Sequence, residues 1–224
     1  MNFRGLLSEQ HDWFFDCDGV ILDSNEVKTR AFGDVARFYG DAAGDAMIEY
    51  HKSQGGISRF VKWRHFFDAI LERAPEPGEY EHLLEEFAQR SRAGVLEAPA
   101  DPAAADLVLR LRAEGHRCHV VSGAAQDELR DVFRARGLSH VFDSVNGSPT
   151  SKLDLVDSLR SGPDVRGVFV GDSAFDHEVA VKRALEFVFV SHWTEFDGWE
   201  KQFEAVDAAV VRDLAELSSQ LFGA

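Results

Sequence analysis

Asp16 and Asp18 stand two residues apart at the end of the apolar run Trp13-Phe14-Phe15, and Gly19 follows them. Residues i and i+2 of a strand point to the same side. A buried strand over 13–16 therefore brings both carboxylates out together at its carboxyl end, where open α/β sheets place their ligands. Two such carboxylates can hold a divalent cation, or divide the roles of nucleophile and acid/base. Three later stretches carry further candidates. Ser122-Gly123-Ala124 follows an apolar run and offers a hydroxyl and backbone N–H groups to an anion. Lys152 falls in the first turn of a helix, where the dipole disfavours a cation unless an anion faces it. Gly171-Asp172-Ser173 is followed by Asp176, so two more acids share one helical face. Each also has an ordinary reading: a plain turn, a solvated lysine, an acid capping a helix. Less ordinary is that each station lies at the carboxyl end of a successive strand.

Periodicity supplies the elements that must position these groups. The opening strand at 13–16 gives way to a helical pattern with Val27, Ala31, Val35 and Phe38 on its apolar face, stopped by Gly40. A weaker helix covers 42–52, followed by the loop Ser53-Gln54-Gly55-Gly56. Ser58 caps an aromatic-rich helix carrying Phe60, Trp63, Phe66 and Phe67, which Pro75 and Pro77 break. Another helix, with Tyr80, Leu83, Leu84 and Phe87, ends near Gly94. From 103 onward strand and helix alternate. Strands are expected at 116–121, 141–145, 167–170, 187–190 and, weakly, 208–211. Helices are expected at 103–114, 126–136, 151–160, 174–184 and 214–221. This alternation predicts an α/β fold: a Rossmann-like, three-layer core with a parallel sheet, plus an inserted all-helical domain. The expected division is a discontinuous core of 1–23 and 95–224, and a helical insert of 24–94.

Composition limits the function. The chain has 224 residues and a net charge of −15, from 24 Lys and Arg against 39 Asp and Glu. That argues against nucleic acid or an anionic membrane as partner, since both call for basic surfaces. An acidic protein with an anionic substrate needs a cation at its site, which fits the paired carboxylates. The two cysteines, Cys17 and Cys118, sit in apolar runs and read as buried, reduced thiols of a cytoplasmic protein. The first eight residues lack the apolar core of a signal peptide, and no apolar run is long enough to span a membrane.

Taken together, the motifs resemble the haloacid dehalogenase superfamily. Its members are mostly phosphatases, and here the helical cap would be inserted directly after the first strand. The likeness is to the phosphoglycolate phosphatase and β-phosphoglucomutase-like members. It rests on Asp16-Cys17-Asp18-Gly19-Val20, on Val120-Val121-Ser122-Gly123, on Lys152, and on Gly171-Asp172-Ser173 with Asp176. Val20 stands where many members carry Thr. The resemblance implies that Asp16 is the nucleophile, forming an aspartyl-phosphate, and that Asp18 is the general acid and then base. It implies Mg²⁺ held by Asp16, the backbone carbonyl of Asp18, and Asp172. Ser122, Gly123 and Lys152 would bind the phosphoryl group, with Asp176 orienting Lys152 or a metal-bound water from behind.

The insert would close over the site, with hinges near Asp23-Ser24 and Gly94–Pro99. Its candidates for substrate contact are Gly56, Arg59 and Lys62, near His51, Gln54, Gly55 and Ser58. Arg59 and Lys62 are equally readable as a solvated helix face. His65, Trp63, Phe66 and Phe67 read as packing residues, as do Trp193 and Trp199. The expected activity is hydrolysis of a small phosphorylated metabolite, a sugar phosphate or phospho-acid, by a monomer or homodimer. A phosphomutase shares every core motif, and a binding or regulatory module without turnover is the reading from another class. A dehalogenase would not need Asp18. A phosphonatase would need a cap lysine that forms a Schiff base, and neither Lys28 nor Lys62 is singled out by the sequence.

Overall fold

In the computed structural model, which describes residues 3–7, 11–162, 165–206 and 208–223, the first strand lies at the middle of a six-stranded sheet. The strands are β1 (His11–Phe15), β2 (Arg117–Ala125), β3 (Ser144–Ser148), β4 (Arg166–Gly171), β5 (Glu186–Val190) and β6 (Ala209–Val211). Their order is β3-β2-β1-β4-β5-β6 and every pairing is parallel. All five residues of β1 are buried. Alternate side chains serve opposite faces, as strand geometry requires. Trp13 and Phe15 pack with Leu107 and Leu111 of α5 (Ala104–Ala113), Leu129 and Phe133 of α6 (Gln126–Ala135), and Leu214 and Leu217 of α10 (Leu214–Phe222). Phe14 faces the other way, toward Val156 of α7 (Lys152–Leu159), Val179 of α8 (Ala174–Lys182) and Phe203 of α9 (Trp199–Val206). Both faces are thus covered, which lets the strands be near-continuously apolar.

The remaining helices, α1 (Asn25–Ala36), α2 (Asp41–Ser53), α3 (Arg59–His65) and α4 (Glu79–Glu97), surround a separate core of Phe32, Val35, Met47, Trp63, Phe66 and Phe87. The Phe32 and Phe87 rings lie 4.1 Å apart. The chain crosses between the two cores twice, and the crossings pair. Leu22 bridges Ala100, Asp23 N–H donates to the Pro99 carbonyl (2.9 Å), and Asp101 N–H donates to the Ile21 carbonyl (2.9 Å). Among the described residues no helix is long and apolar enough to cross a membrane, and both cysteines are free and buried.

Several boundaries differ from expectation for identifiable reasons. β3 is Ser144–Ser148, not 141–145. Val141 and Phe142 are buried as a turn that plugs the core, with Phe142 edge-on to Phe15 and Phe133. The polar strand behind them is held by Asn146 Nδ2 on the Val120 carbonyl and by Gln126 Oε1 on Gly147 N–H. A short apolar run alone does not separate a strand from a packed turn. β2 continues through Ser122 and Gly123 to Ala125. α4 does not stop at Gly94: a methyl there would come within 2.7 Å of Val27 Cγ1, so this glycine serves close packing against α1. The aromatic helix ends in a π turn at Phe66–Ile70, before the prolines. Phe38 is not on a buried face; it is 58 % exposed in a 3₁₀ turn, with the Arg90 guanidinium over its ring. α9 escaped the periodicity because only Phe203 of its residues is buried. Trp199 opens that helix and packs on Phe189.

Candidate active site

The sheet order reverses at β1, with β2 on one side and β4 on the other, so a crevice opens past its carboxyl end. Asp16 emerges there with its N–H bonded to the Val170 carbonyl (2.9 Å), and is 2 % exposed. Lys152 Nζ lies 2.8 Å from Asp16 Oδ2 and 2.6 Å from Asp176 Oδ1. Helix capping falls to neighbouring serines. Ser151 Oγ accepts from Asp154 N–H and Ser173 Oγ accepts from Asp176 N–H. Lys152, Asp172 and Asp176 are therefore free to face the crevice, and the ordinary reading of the two acids as caps is set aside. Asp172 Oδ2 accepts from Asn25 Nδ2 (2.8 Å), whose amide also donates to the Trp193 carbonyl (2.9 Å).

Carboxylate oxygens of Asp16, Asp172 and Asp176 lie within 4.8 Å of one another, all buried. Three carboxylates against one ammonium leave two negative charges in excess (3 − 1 = 2). Burial, joined by repulsion from Asp176 and Asp18, outweighs Lys152 and pushes Asp16 up to about 7. Burial and the Asp16 charge push Asp172 well above the carboxylate range. An all-oxygen, buried cluster whose full ionisation leaves two negative charges uncompensated fits a hard divalent cation such as Mg²⁺.

Asp18 stands outside that cluster. Its carboxylate accepts from Ser24 Oγ (2.5 Å) and Lys28 Nζ (2.5 Å). Burial raises its pKa, but the Lys28 charge and the hydrogen bonds from Lys28 and Ser24 more than offset this and hold the carboxyl below its usual range. The two carboxylates that began as equivalent neighbours thus have opposite environments: burial favours the protonated form of Asp16, and Lys28 and Ser24 favour the ionised form of Asp18. Gly19, at φ +75°, makes the turn directly after Asp18; a methyl there would sit 2.0 Å from Asp172 Oδ2. Gly19→Ala is expected to displace Asp172 and cut activity at least tenfold while the fold persists, measured as kcat/KM beside a circular dichroism spectrum.

The cap reaches this crevice at several points. A methyl on Gly123 would meet the Gly56 carbonyl at 2.6 Å, and one on Gly56 would meet Ser173 Oγ at 2.6 Å. The loop after α2 is therefore seated directly on the carboxyl ends of β2 and β4. Arg59 is not solvated. It is 6 % exposed and makes a two-pronged ion pair with Glu128 of α6 (2.9 and 2.7 Å), closing cap against core. Lys62, 1 % exposed, turns to His51 Nδ1 (2.8 Å). Ser122 is fully buried, its hydroxyl accepting from Ala124 N–H. His65 stacks on Tyr50 and Trp63 lies in the cap core. Beneath the cap is a space of about 60 Å³ bordered by Asp16, Asp18, Lys28, Lys62, Gly123 and Asp172. A larger cleft of about 510 Å³ between α4 and α6 shares Asp18, Lys28 and Arg59 with it.

Sequence reasoning passed over Thr29 and Glu195, read Asn25 only as a possible helix cap, and weighed Lys28 only as a Schiff-base lysine. Thr29 Oγ1 donates to Glu195 Oε2 (2.5 Å). The signal was present on α1: Asn25, Lys28, Thr29 and Phe32 fall at i, i+3, i+4 and i+7, a polar stripe on a face that a helix usually keeps apolar.

A family model for haloacid dehalogenase-like hydrolases matches residues 14–182, most of the chain. The chain belongs to this family. Among solved structures, this haloacid dehalogenase-like hydrolase shares its fold with a β-phosphoglucomutase from Clostridium difficile (17% identity, 95% of this chain and 98% of that one, TM-score 0.70). It is similarly like a haloacid dehalogenase-like hydrolase from Streptococcus pneumoniae (18% identity, 93% and 97%, TM-score 0.67). A variant of CbbY from Rhodobacter sphaeroides, in complex with xylulose-(1,5)-bisphosphate, has 19% identity, coverage of 93% and 96%, and TM-score 0.66. No functionally curated protein matches the chain significantly.

Proposed function

We propose that this hydrolase is a Mg²⁺-dependent phosphatase of small phosphorylated metabolites, working through an aspartyl-phosphate on Asp16. The observation that carries the reading is the buried chain Asp16–Lys152–Asp176 beside Asp172, with Asp18 held apart on a separate pair of donors. Residues 24–94 act in it as a cap over a core of 1–23 and 95–224. The xylulose-(1,5)-bisphosphate bound by CbbY is a phosphorylated sugar of the class intended.

In the first step Asp16 Oδ attacks phosphorus and the ester P–O bond breaks, its electron pair going to the leaving oxygen. Asp18, through the proton it shares with Lys28, protonates that oxygen. In the second, Asp18 takes a proton from water, whose oxygen attacks the phosphorus and releases Asp16. Lys152 holds Asp16 in place and neutralises part of the transferring charge; Asp176 fixes Lys152, and Ser122 and Gly123 border the phosphoryl group. Asp16, Asp172 and the Asp18 carbonyl would hold Mg²⁺, with Asp176 adjacent; bound there, the ion offsets repulsion between the anionic nucleophile and the anionic phosphoryl group. Lys28, 2.5 Å from Asp18, shares the proton that Asp18 moves.

Hydrolysis of p-nitrophenyl phosphate tests the reading: turnover with Mg²⁺, loss with EDTA and recovery on readdition support it, and EDTA-resistant turnover contradicts it. At a hundredfold excess over Kd, Mg²⁺ should stabilise the fold by about 2.7 kcal/mol, and by less in Asp172→Asn, as read by thermal melts. The Lys28–Asp18 pair adds a pH prediction. Lys28 lowers the Asp18 pKa, so Lys28→Met raises it, and the alkaline limb of the kcat/KM profile, set by loss of the proton that Asp18 donates in the first step, should move to higher pH. A limb that stays in place would remove Lys28 from the proton path.

A further inference from the structure

Each acid in the crevice has an ammonium partner, except one. Asp16 and Asp176 share Lys152, and Asp18 has Lys28. Asp172, 5 % exposed, has no cation within 4.0 Å among the described residues. Its partners are neutral. Asn25 Nδ2 donates one hydrogen to Asp172 Oδ2 (2.8 Å) and the other to the Trp193 carbonyl (2.9 Å). Both of these are acceptors, so the nitrogen of the amide, not its oxygen, must face them. Thr194 Oγ1 donates to the backbone carbonyl of Asp172 (2.5 Å). The carboxylate is thus held from α1 and its backbone from the loop after β5. Two further features belong to the same arrangement. A methyl on Gly19 would fall 2.0 Å from Asp172 Oδ2 and 2.5 Å from Asn25 Nδ2, so the missing side chain makes room for this pair. The start of α1 also forgoes its own side-chain cap: the hydroxyl of Ser24, at the N-cap, goes to Asp18 instead. Consecutive residues at the helix start therefore each serve one acid of the site.

A neutral donor acts differently from a lysine. An ammonium would cancel the charge of Asp172 and compete with a cation for it. An amide orients the carboxylate and leaves its charge in place. It also engages one oxygen, which opposes the use of both oxygens on the same ion. Mg²⁺ takes single-oxygen ligands in a tight octahedron, whereas Ca²⁺ also accepts a carboxylate through both oxygens. We infer that Asn25 is a positioning residue for Asp172: it holds the carboxylate as a one-oxygen ligand and so sets the preference of the site for Mg²⁺ over Ca²⁺. This rests on the metal assignment in the phosphatase reading and deepens it.

The test titrates the metal-free protein with Mg²⁺ alone and with Ca²⁺ alone, following binding by calorimetry and thermal melts. In Asn25→Ala the affinity for Mg²⁺ should fall about 10- to 100-fold, the scale for losing a hydrogen-bond partner behind a metal ligand. Affinity for Ca²⁺ should fall less, because the freed carboxylate can chelate with both oxygens, so the preference for Mg²⁺ drops by about fivefold or more. Equal losses for the two ions, or no loss for either, overturn the proposal; a merely structural role for Asn25 gives equal losses. In the wild type the Asn25 side-chain amide resonance should shift as Mg²⁺ binds. A resonance that stays in place while the ion binds overturns the proposal without relying on any variant. Failure of the phosphatase reading looks different: metal affinity would depend on Asn25 as described while plain phosphate esters went unhydrolysed, or Asp16→Asn would hydrolyse them as fast as the wild type.

Discussion

Asp16→Asn is expected to lower kcat by about 10⁴-fold or more, because an amide oxygen cannot form the covalent intermediate and nothing nearby can replace it. The same substitution should raise the melting temperature of the metal-free protein above pH 7. The sign follows from burial. The folded-state pKa of Asp16 is raised to about 7 from 3.8, so its ionised form is disfavoured in the fold relative to the unfolded chain. Stability is lost as pH rises from the unfolded value through about 7, and a neutral isostere does not incur that loss. Activity and stability should therefore move in opposite directions at this one residue, as they do where a site is strained for function. Thermal melts in EDTA at pH 8, beside kcat with Mg²⁺, measure both. An Asp16→Asn protein that is inactive and also much less stable would point to a structural role for the carboxylate.

Lys152→Met should be inactive and unstable together. Lys152 is 3 % exposed and touches Asp16 and Asp176, at 2.8 and 2.6 Å. Removing it leaves buried carboxylates with no cation between them. Breaking a buried pair in this way costs about 3–5 kcal/mol, a fall of roughly 6–20 °C for a chain of this size. kcat should fall by about 10³-fold or more, since phosphoryl transfer depends on cations placed against the moving charge. Mg²⁺ should recover part of the lost stability and none of the lost rate, because the ion neutralises the acids without replacing the ammonium. Full activity in Lys152→Met would remove it from the phosphoryl site.

The core was legible in the sequence because its chemistry is local. Asp16 and Asp18 end β1, Asp172 follows β4, and Lys152 opens α7, so each can be placed from the period of its own element. The parallel sheet then brings them together without any knowledge of long-range packing. The cap was less legible. Asn25 and Asp172 are 147 residues apart, Arg59 and Glu128 are 69 apart, and Thr29 and Glu195 are 166 apart. Those pairs exist only when the helical part lies closed on the sheet, and no local pattern encodes that placement. The difference shows most clearly at Arg59 and Lys62. Their spacing puts them near one face, which the sequence reveals; that Arg59 is tied to Glu128 while Lys62 turns inward to His51 depends on the core beneath them. Gly94 makes the same point in reverse. It looks like a helix stop, and is instead the contact that lets α4 lie against Val27.

The central claim is the covalent phosphoryl group on Asp16, and Asp18→Asn tests it most directly. Without its acid/base the second step should slow more than the first when the leaving group is good, as with p-nitrophenyl phosphate, so that the intermediate accumulates. Acid quench after mixing with that ester and Mg²⁺, followed by peptide mass spectrometry, should find one phosphoryl group on Asp16. Turnover that continues with no phosphorylated peptide, or a phosphoryl group on any other residue, would contradict the mechanism.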